Sequence, residues 1–454
     1  MQVGDILDLR IEKLNSEGAG IARVDGFVLF VKNSCPDDIL RCKVTKLNKR
    51  YGFAEIVEIL TPSVDRVEPK CKMYKLCGAC SLQHISYEAQ LRYKKQIVED
   101  TLFSGLGLNI NVGEVVGIPD GFNYRNKIQY PVGSKKGQTR ILAGYYQQAT
   151  HELINIKYCP IQPDAVNDVM EFIKLNAEKY GISAYDEKKY SGLLRHIVIR
   201  VSEYDSKMIV SLVLNAVNID GAVKKLAQDL YDNFDCVVGI SANFNTQKSN
   251  VILGNKSQLL FGQDYVEEKL SGVVFKISAD TFFQVNPKCA NLMFDYVKTK
   301  ISEIVSNPTI FDAYAGIAAF GIVMSDIAKA VVSVELNEQS ILKAKENLQR
   351  LEIHNVEAIA SDTMKYLENE GRHFDVTIID PPRKGSDETS LSKIAEITDK
   401  LLVYVSCNPA TLARDLKLLL SKGFEIESVK PFDMFPQTPH VETVVVLKKK
   451  DNNF

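Results

Sequence analysis

The stretch Leu-Leu-Val-Tyr-Val-Ser-Cys-Asn-Pro-Ala-Thr-Leu-Ala-Arg-Asp-Leu, residues 401–416, decides how this chain is read. Leu401 to Ser406 is an apolar run of the kind that forms a buried strand. Asn408 suits a helix N-cap and Pro409 the first helical position, so a helix is expected from Ala410 onward. Cys407 then sits on a strand-to-helix turn, beside free backbone N–H groups and the positive end of a helix dipole. That setting favours thiolate, the form a nucleophilic cysteine needs. A lone cysteine is more commonly a buried structural residue. Ligands of α/β proteins bind at the carboxyl ends of the strands, however, and this position favours the nucleophile.

Working outward, strands and helices alternate from about residue 270, the mark of a parallel, doubly wound sheet. Strands are expected at TIFDAY, AVVSVEL, VEAIA, FDVTIID and LLVYVS, with the helix EQSILKAKENLQRL after the second. FEIESVKPFDMF and VETVVVLKK close the chain as an antiparallel pair at the sheet edge. The first strand runs into Asp312-Ala313-Tyr314-Ala315-Gly316-Ile317-Ala318-Ala319-Phe320-Gly321. Ala318 fills the slot where a dinucleotide fingerprint needs glycine to approach a pyrophosphate, which disfavours NAD or FAD. Glu335 ends the second strand, where a carboxylate can accept from ribose hydroxyls, and Asp362 follows the third, near the place of an adenine. This set fits a nucleoside cofactor without phosphates, namely S-adenosylmethionine. The fourth strand ends in Asp380-Pro381-Pro382-Arg383-Lys384-Gly385, where two prolines hold Asp380 at the strand tip. Amino-group methyltransferases place an aromatic after such prolines; Arg383 stands there instead, against methylation of an exocyclic amine.

DPPRKG, SCNPATLARDL and DMFPQTPHVETVVVL, with SADTFFQVNP upstream, closely resemble the RNA uracil-5 (5-methyluridine) methyltransferases, and the match covers nearly the whole chain. The resemblance implies S-adenosylmethionine-dependent methylation of uracil C5 in RNA, with a [4Fe–4S] cluster in the ribosomal-RNA branch. By motif it makes Cys407 the nucleophile and Glu442 the general base. Gln284, Tyr314, Gly316, Glu335, Asp362 and Asp380 are then expected to line the cofactor and uracil pocket. The chain departs from the family in two places. Ala315-Gly316 and Ala318-Ala319 stand where the family has Cys-Gly and a polar or glycine-rich continuation, removing a cofactor contact at 319. CGAC replaces the common CGGC. The chemistry explains the residue types. A thiolate adding to C6 turns the poorly nucleophilic ring into an enolate with charge at C5, and a base must later remove the C5 proton.

The flanking regions fit an RNA enzyme of several domains. Residues 1–62 alternate short β-like runs with turns, including an Asp25-Gly26 hairpin signal, and imply a small antiparallel barrel. EGAGIARVDGFVLFV and DDILRCKV resemble the RNA-binding TRAM module. RCKVTKLNKR, residues 41–50, holds five basic residues and no acid, a solvated face or an RNA contact. Cys71, Cys77 and Cys80, with Cys159 in KYCPI, can hold either a [4Fe–4S] cluster or tetrahedral zinc. Residues 121–150 carry five Lys or Arg and five Phe or Tyr without an acid, which fits either unpaired RNA or an antiparallel sheet with a wet face. The expected architecture is therefore α/β. A TRAM/OB-like barrel (1–62) and an α+β, iron–sulfur-bearing central domain (63–268) precede a Rossmann-like methyltransferase domain (269–454), with part of 82–118 packing on the last.

The 454 residues are 45% hydrophobic and 25% charged, with a formal net charge of −2, so RNA contact must come from local patches. The amino terminus MQVGDILDLR has no apolar signal core, no apolar run is long enough to span a membrane, and nine cysteines are an odd number. A cytoplasmic, monomeric enzyme with reduced thiols is expected, with no membrane association. The barrel and four-cysteine segment favour ribosomal RNA, in the large subunit, over transfer RNA as partner. Cytosine-5 methylation is a competing reading, weakened because Ser406 and not proline precedes Cys407. A non-catalytic RNA-binding iron–sulfur protein is another, weakened by the intact Cys407, Glu442 and Asp380.

Overall fold

A computed structural model of the chain describes residues 1–135, 137, 139–148, 150–369 and 371–450. Lys136, within the basic and aromatic segment, lies outside the described residues. The chain divides into two compact units. The first comprises Met1–Tyr74, Cys80–Gly121 and Leu367–Phe454, the second Lys75–Ala79 and Phe122–Tyr366.

In the first unit, β1 (Ile6–Arg10), β2 (Lys13–Leu14), β3 (Gly20–Val24), β4 (Phe27–Val31), β5 (Ile39–Leu47) and β6 (Tyr51–Thr61) form one sheet in the order β1-β5-β6-β4-β3-β2. Alternation builds its core: Leu29 and Val31 of β4 point inward with Leu40, Cys42 and Ala54, while Phe30 and Phe53 face outward. Asp25 and Gly26 take φ +50° and +83°, the paired positive values of a tight hairpin turn, joining β3 to β4 as their sequence implies. Of the five basic residues in 41–50, Arg41 is spent on Asp8 and Glu58. Helix α1 (Tyr87–Leu106) follows the cysteine segment.

The second unit opens with β7 (Lys127–Gly133), β8 (Leu142–Tyr146), β9 (Leu153–Asn155), α2 (Asp164–Lys179), β10 (Leu194–Val201), β11 (Met208–Leu214), α3 (Gly221–Asn233), β12 (Val237–Phe244) and β13 (Lys256–Gly262). Its strands lie in the order β13-β12-β11-β10-β7-β8-β9. The basic, aromatic segment is largely used up here. Tyr124 and Tyr130 are buried, and Lys127 donates to the Thr281 carbonyl at 3.3 Å. Burial, with Arg200 nearby, brings Lys127 down to about 7. Sheet packing claims Tyr124, Lys127 and Tyr130, whereas Lys135 and Arg140 of the same segment are exposed.

A hairpin, β14 (Tyr265–Leu270) and β15 (Val273–Ser278), and helix α4 (Pro287–Ile304) lead into strand–helix alternation. In the second unit β16 (Thr309–Ala313), α5 (Ala319–Met324), β17 (Ala330–Glu335), α6 (Glu338–Arg350) and β18 (Val356–Ala360) supply three parallel strands in the order β18-β17-β16. After α7 (Thr363–Asn369), the first unit takes up β19 (Phe374–Ile379), α8 (Glu388–Ile397), β20 (Thr398–Ser406), α9 (Pro409–Ser421), β21 (Phe424–Phe432) and β22 (Glu442–Lys449). These strands run β19-β20-β22-β21, with β19 and β20 parallel and the last pair antiparallel. Leu401 to Val405 are all buried, which is why β20 reads as an unbroken apolar run. Helix α1 packs along α9, where a Cβ on Gly105 would come within 2.6 Å of the Ala413 Cβ. Among the described residues no helix is long and apolar enough to cross a membrane.

Candidate active site

Two local signals build the turn after β20. The Asn408 side chain accepts from the Ala410 N–H at 3.1 Å, and Pro409 opens α9. Such a cap is worth about 1 kcal/mol. The Asn408 amide also donates to the Arg383 carbonyl at 3.1 Å, and Thr411 Oγ1 reaches the same oxygen at 3.3 Å. The cap thereby ties the Cys407 turn to the turn after β19. That second turn needs its glycine: Gly385 has φ +75°, and a Cβ there would lie 2.5 Å from Arg414 Nη2. Asp415, on α9, completes the frame by accepting from the Ser386 N–H and from Tyr404 Oη.

Strand ends bring the thiol and a carboxylate close. The antiparallel β20–β22 register ends at Ser406 opposite Thr443, so Cys407 lies one residue past that pair on β20 and Glu442 one residue before it on β22. Cys407 is half-buried, and burial together with the charges of Glu442 and Asp380 pushes its thiol up to about 11, against the pull of Arg383. Glu442 is 4% exposed. Burial first, then the Asp380 charge, holds its carboxyl well above the usual range, with Arg383 again opposing. The helix N-terminus alone implied a thiolate at Cys407; in the folded protein desolvation and two carboxylates outweigh it, and the resting group is the thiol. Arg383 sits at the centre of this set, with Nη2 3.0 and 3.1 Å from the two ring nitrogens of His440. Burial, with Arg383 and Lys94, brings His440 down to about 4, so its ring is neutral.

The second unit carries the glycine turn. Tyr314, Gly316 and Ala318 all have positive φ, a folded-back backbone costly for residues with side chains and typical of ligand sites. Glu335 supports it: Oε2 accepts from the Gly316 N–H at 3.0 Å and Oε1 from the Asn337 N–H at 2.8 Å. Below, the buried Asp312 accepts from Gly321 N and Ser333 Oγ, and burial carries its carboxyl up to about 7. A Cβ on Gly321 would meet Ser333 Oγ at 2.2 Å, so the glycine is a packing requirement. Asp362 caps α7 through Lys365 N at 3.2 Å. In the segment before α4, Phe282 is 64% exposed and lies 3.9 Å from where a Cβ on Gly316 would stand. Gln284 is half-buried, and its carbonyl accepts from the Asn126 amide.

The cysteine segment is divided between the two units. Cys35, Cys42, Cys71, Cys236 and Cys407 are unbridged thiols. In the first unit the Cys71 N–H donates to Gln83 Oε1, and Cys80 lies close enough to act on the Tyr74 hydroxyl. In the second, Cys77 and Cys159 both act on the buried Tyr130 hydroxyl. Among the described residues no three His, Cys, Asp or Glu side chains are grouped to hold a metal ion. The [4Fe–4S] cluster or zinc expected at Cys71, Cys77, Cys80 and Cys159 is thus not supported by a ligand group among the described residues, and no step is routed through one.

A parallel β18-β17-β16 sheet whose strand β16 runs into a positive-φ glycine turn braced by Glu335 has the form of a methyltransferase fold. The chain belongs to the tRNA (uracil-5-)-methyltransferase family, whose model matches residues 86–450, and a TRAM domain model matches residues 1–57. It is 38% identical over 451 residues to an uncharacterised RNA methyltransferase of Halalkalibacterium halodurans, covering 98% of each chain. A similar protein from Listeria innocua, described in the same words, is 38% identical over 450 residues, again 98% of each chain. Among solved structures, the tRNA (uracil-54, C5)-methyltransferase of Pyrococcus abyssi, crystallised with S-adenosyl-L-homocysteine, matches with a TM-score of 0.76 at 28% identity. That match covers 96% of this chain and 98% of the other. The family and the α/β fold read from the motifs are thus established, and the chain is an RNA methyltransferase. Sequence reading passed over Arg383 as a site member and did not single out His440; the position of Arg383 directly after two rigid prolines at a strand tip was the available signal.

Proposed function

We propose that the protein methylates C5 of an unpaired uridine in large-subunit ribosomal RNA, using S-adenosylmethionine and a covalent bond from Cys407 to C6. The observation that carries the chemistry is that Cys407 and Glu442 flank the last β20–β22 pair, Ser406–Thr443, with Asp380 and Arg383 acting on both. When bound, S-adenosylmethionine supplies the methyl group and a positive charge that favours thiolate and carboxylate at the reacting centre. Tyr314, Gly316, Glu335 and Asp362 hold the nucleoside part, and the braced, positive-φ turn suits that task. Gln284 is a further contact for the cofactor or the uracil, and Asp380, followed by two prolines, a carboxylate that can accept a hydrogen bond from a polar edge.

Cys407, part-exposed, gives its proton to solvent and adds to C6 as thiolate, placing negative charge on C5 and the C4 oxygen. Arg383, a cation acting on Cys407, stabilises the thiolate. C5 takes the methyl group. Glu442 then accepts the C5 proton, the C–H pair forms the C5=C6 double bond, and the C6–S bond breaks to return Cys407. The exposed Phe282 offers a stacking face for a base drawn from its helix.

The barrel, the cysteine segment and the near-neutral net charge support a large, structured RNA gripped by shape over dense phosphate contact. Transfer RNA is the second reading, favoured by the structural neighbour from Pyrococcus abyssi, which acts on it. The enzyme works as a monomer in the cytoplasm, where its thiols stay reduced. Deleting the gene and mapping 5-methyluridine by mass spectrometry tests the substrate: loss from ribosomal RNA is expected. Loss confined to transfer RNA overturns the substrate and leaves the chemistry standing.

A further inference from the structure

The loop Asp433–Val441 joins β21 to β22 and delivers Glu442, the first residue of β22, so whatever fixes the loop fixes that carboxylate. Gln437 stands at φ +68°, a left-handed conformation at a buried residue bearing a long side chain. Gln90 of α1 meets it with a reciprocal pair: Gln90 Nε2 donates to Gln437 Oε1 at 2.9 Å, and Gln90 Oε1 accepts the Gln437 N–H at 3.0 Å. The Gln437 carbonyl accepts from the N–H groups of Ser81 and Leu82, both at 3.0 Å. One turn along the same helix face, the fully buried Lys94 donates to the buried Asp433 carboxylate and to the Phe435 carbonyl at 3.1 Å.

Apolar packing would join α1 to this loop at less cost than a buried ion pair and a strained backbone. What the polar network adds is direction, because hydrogen bonds, unlike apolar contacts, fix the orientation of the groups they join. We propose that Gln90 and Lys94 are positioning residues for Glu442. Acting through Gln437 and Asp433, they hold the loop so that the carboxylate stays aimed at the C5 proton. The inference rests on the reading of Glu442 as the base. The step it governs is the last one, in which the C5 proton passes to Glu442, the C–H pair becomes the C5=C6 bond and the C6–S bond breaks.

The test uses the full-length enzyme with methyl-labelled S-adenosylmethionine and substrate RNA, in Gln90→Ala, in Gln437→Gly (which keeps the backbone angle and removes the amide) and in the double variant. Glu442→Gln runs alongside. A misplacement of about 1 Å costs on the order of a hundredfold at a reacting centre, so product release should slow at least roughly tenfold. RNA affinity and the rate of first methyl transfer should stay within about twofold. A denaturant-stable, methyl-labelled protein–RNA adduct should accumulate, and the double variant should be no slower than the worse single one. Gln437→Gly serves where Gln90→Ala does not fold. Adduct from Glu442→Gln but none from the loop variants overturns the positioning role and keeps the base. Adduct from none of them overturns both.

Discussion

Cys407 has to be acidic to react, yet every near neighbour but one works against it. With its thiol near 11, only about one molecule in ten thousand is thiolate at neutral pH. The resting enzyme is therefore protected from adventitious alkylation, and the groups responsible can be read off by substitution. Alkylation by iodoacetamide should be slow in the free enzyme and climb steeply only above pH 9. Glu442→Gln and Asp380→Asn each remove a negative charge that raises the thiol, so the climb should begin at lower pH. Arg383→Met removes the opposing cation and should delay it. Each tenfold change in rate at fixed pH below that climb corresponds to about 1.4 kcal/mol of charge interaction. Profiles that coincide for all four proteins would show that the carboxylates and Arg383 do not act on the thiol.

The Asn408-Pro409 pair makes the start of α9 legible because capping is local: the residues that signal it are those that form the bonds. The same holds for Asp25-Gly26 and for the apolar run of β20. The charge state of Cys407 was misjudged from sequence for the opposite reason, since it depends on residues of β22 and the β19 turn that only strand register brings near. The Gln90–Gln437 pair had no signal at all, as neither residue belongs to a periodic or turn-forming pattern. At the Cys407 turn the cap has two jobs that can be separated. Asn408→Ala loses both the bond to Ala410 and the bond to Arg383, and should cost about 1 kcal/mol of stability along with most activity. Asn408→Asp keeps the cap but sets a carboxylate against the Arg383 carbonyl, so activity should fall severalfold with the denaturation midpoint nearly unchanged. Wild-type activity in the aspartate variant would show that the link between the two turns is dispensable.

Across the whole molecule, the two compact units hold different parts of the chemistry. The braced glycine turn, Gln284 and Phe282 belong to one. Cys407, Glu442, Asp380 and Arg383 belong to the other, together with the barrel and α1. Motifs scattered over the chain could announce the family, because each is short and local. The covalent bond proposed for Cys407 is the central claim. The most direct test is to incubate the enzyme and S-adenosylmethionine with substrate RNA in which uracil is replaced by 5-fluorouracil, then digest and map the product by mass spectrometry. With fluorine at C5 there is no proton for Glu442 to take, so the reaction should stop as a methylated RNA linked to the peptide containing Cys407. Methyl transfer without any linked peptide, or a link to another residue, would contradict the account.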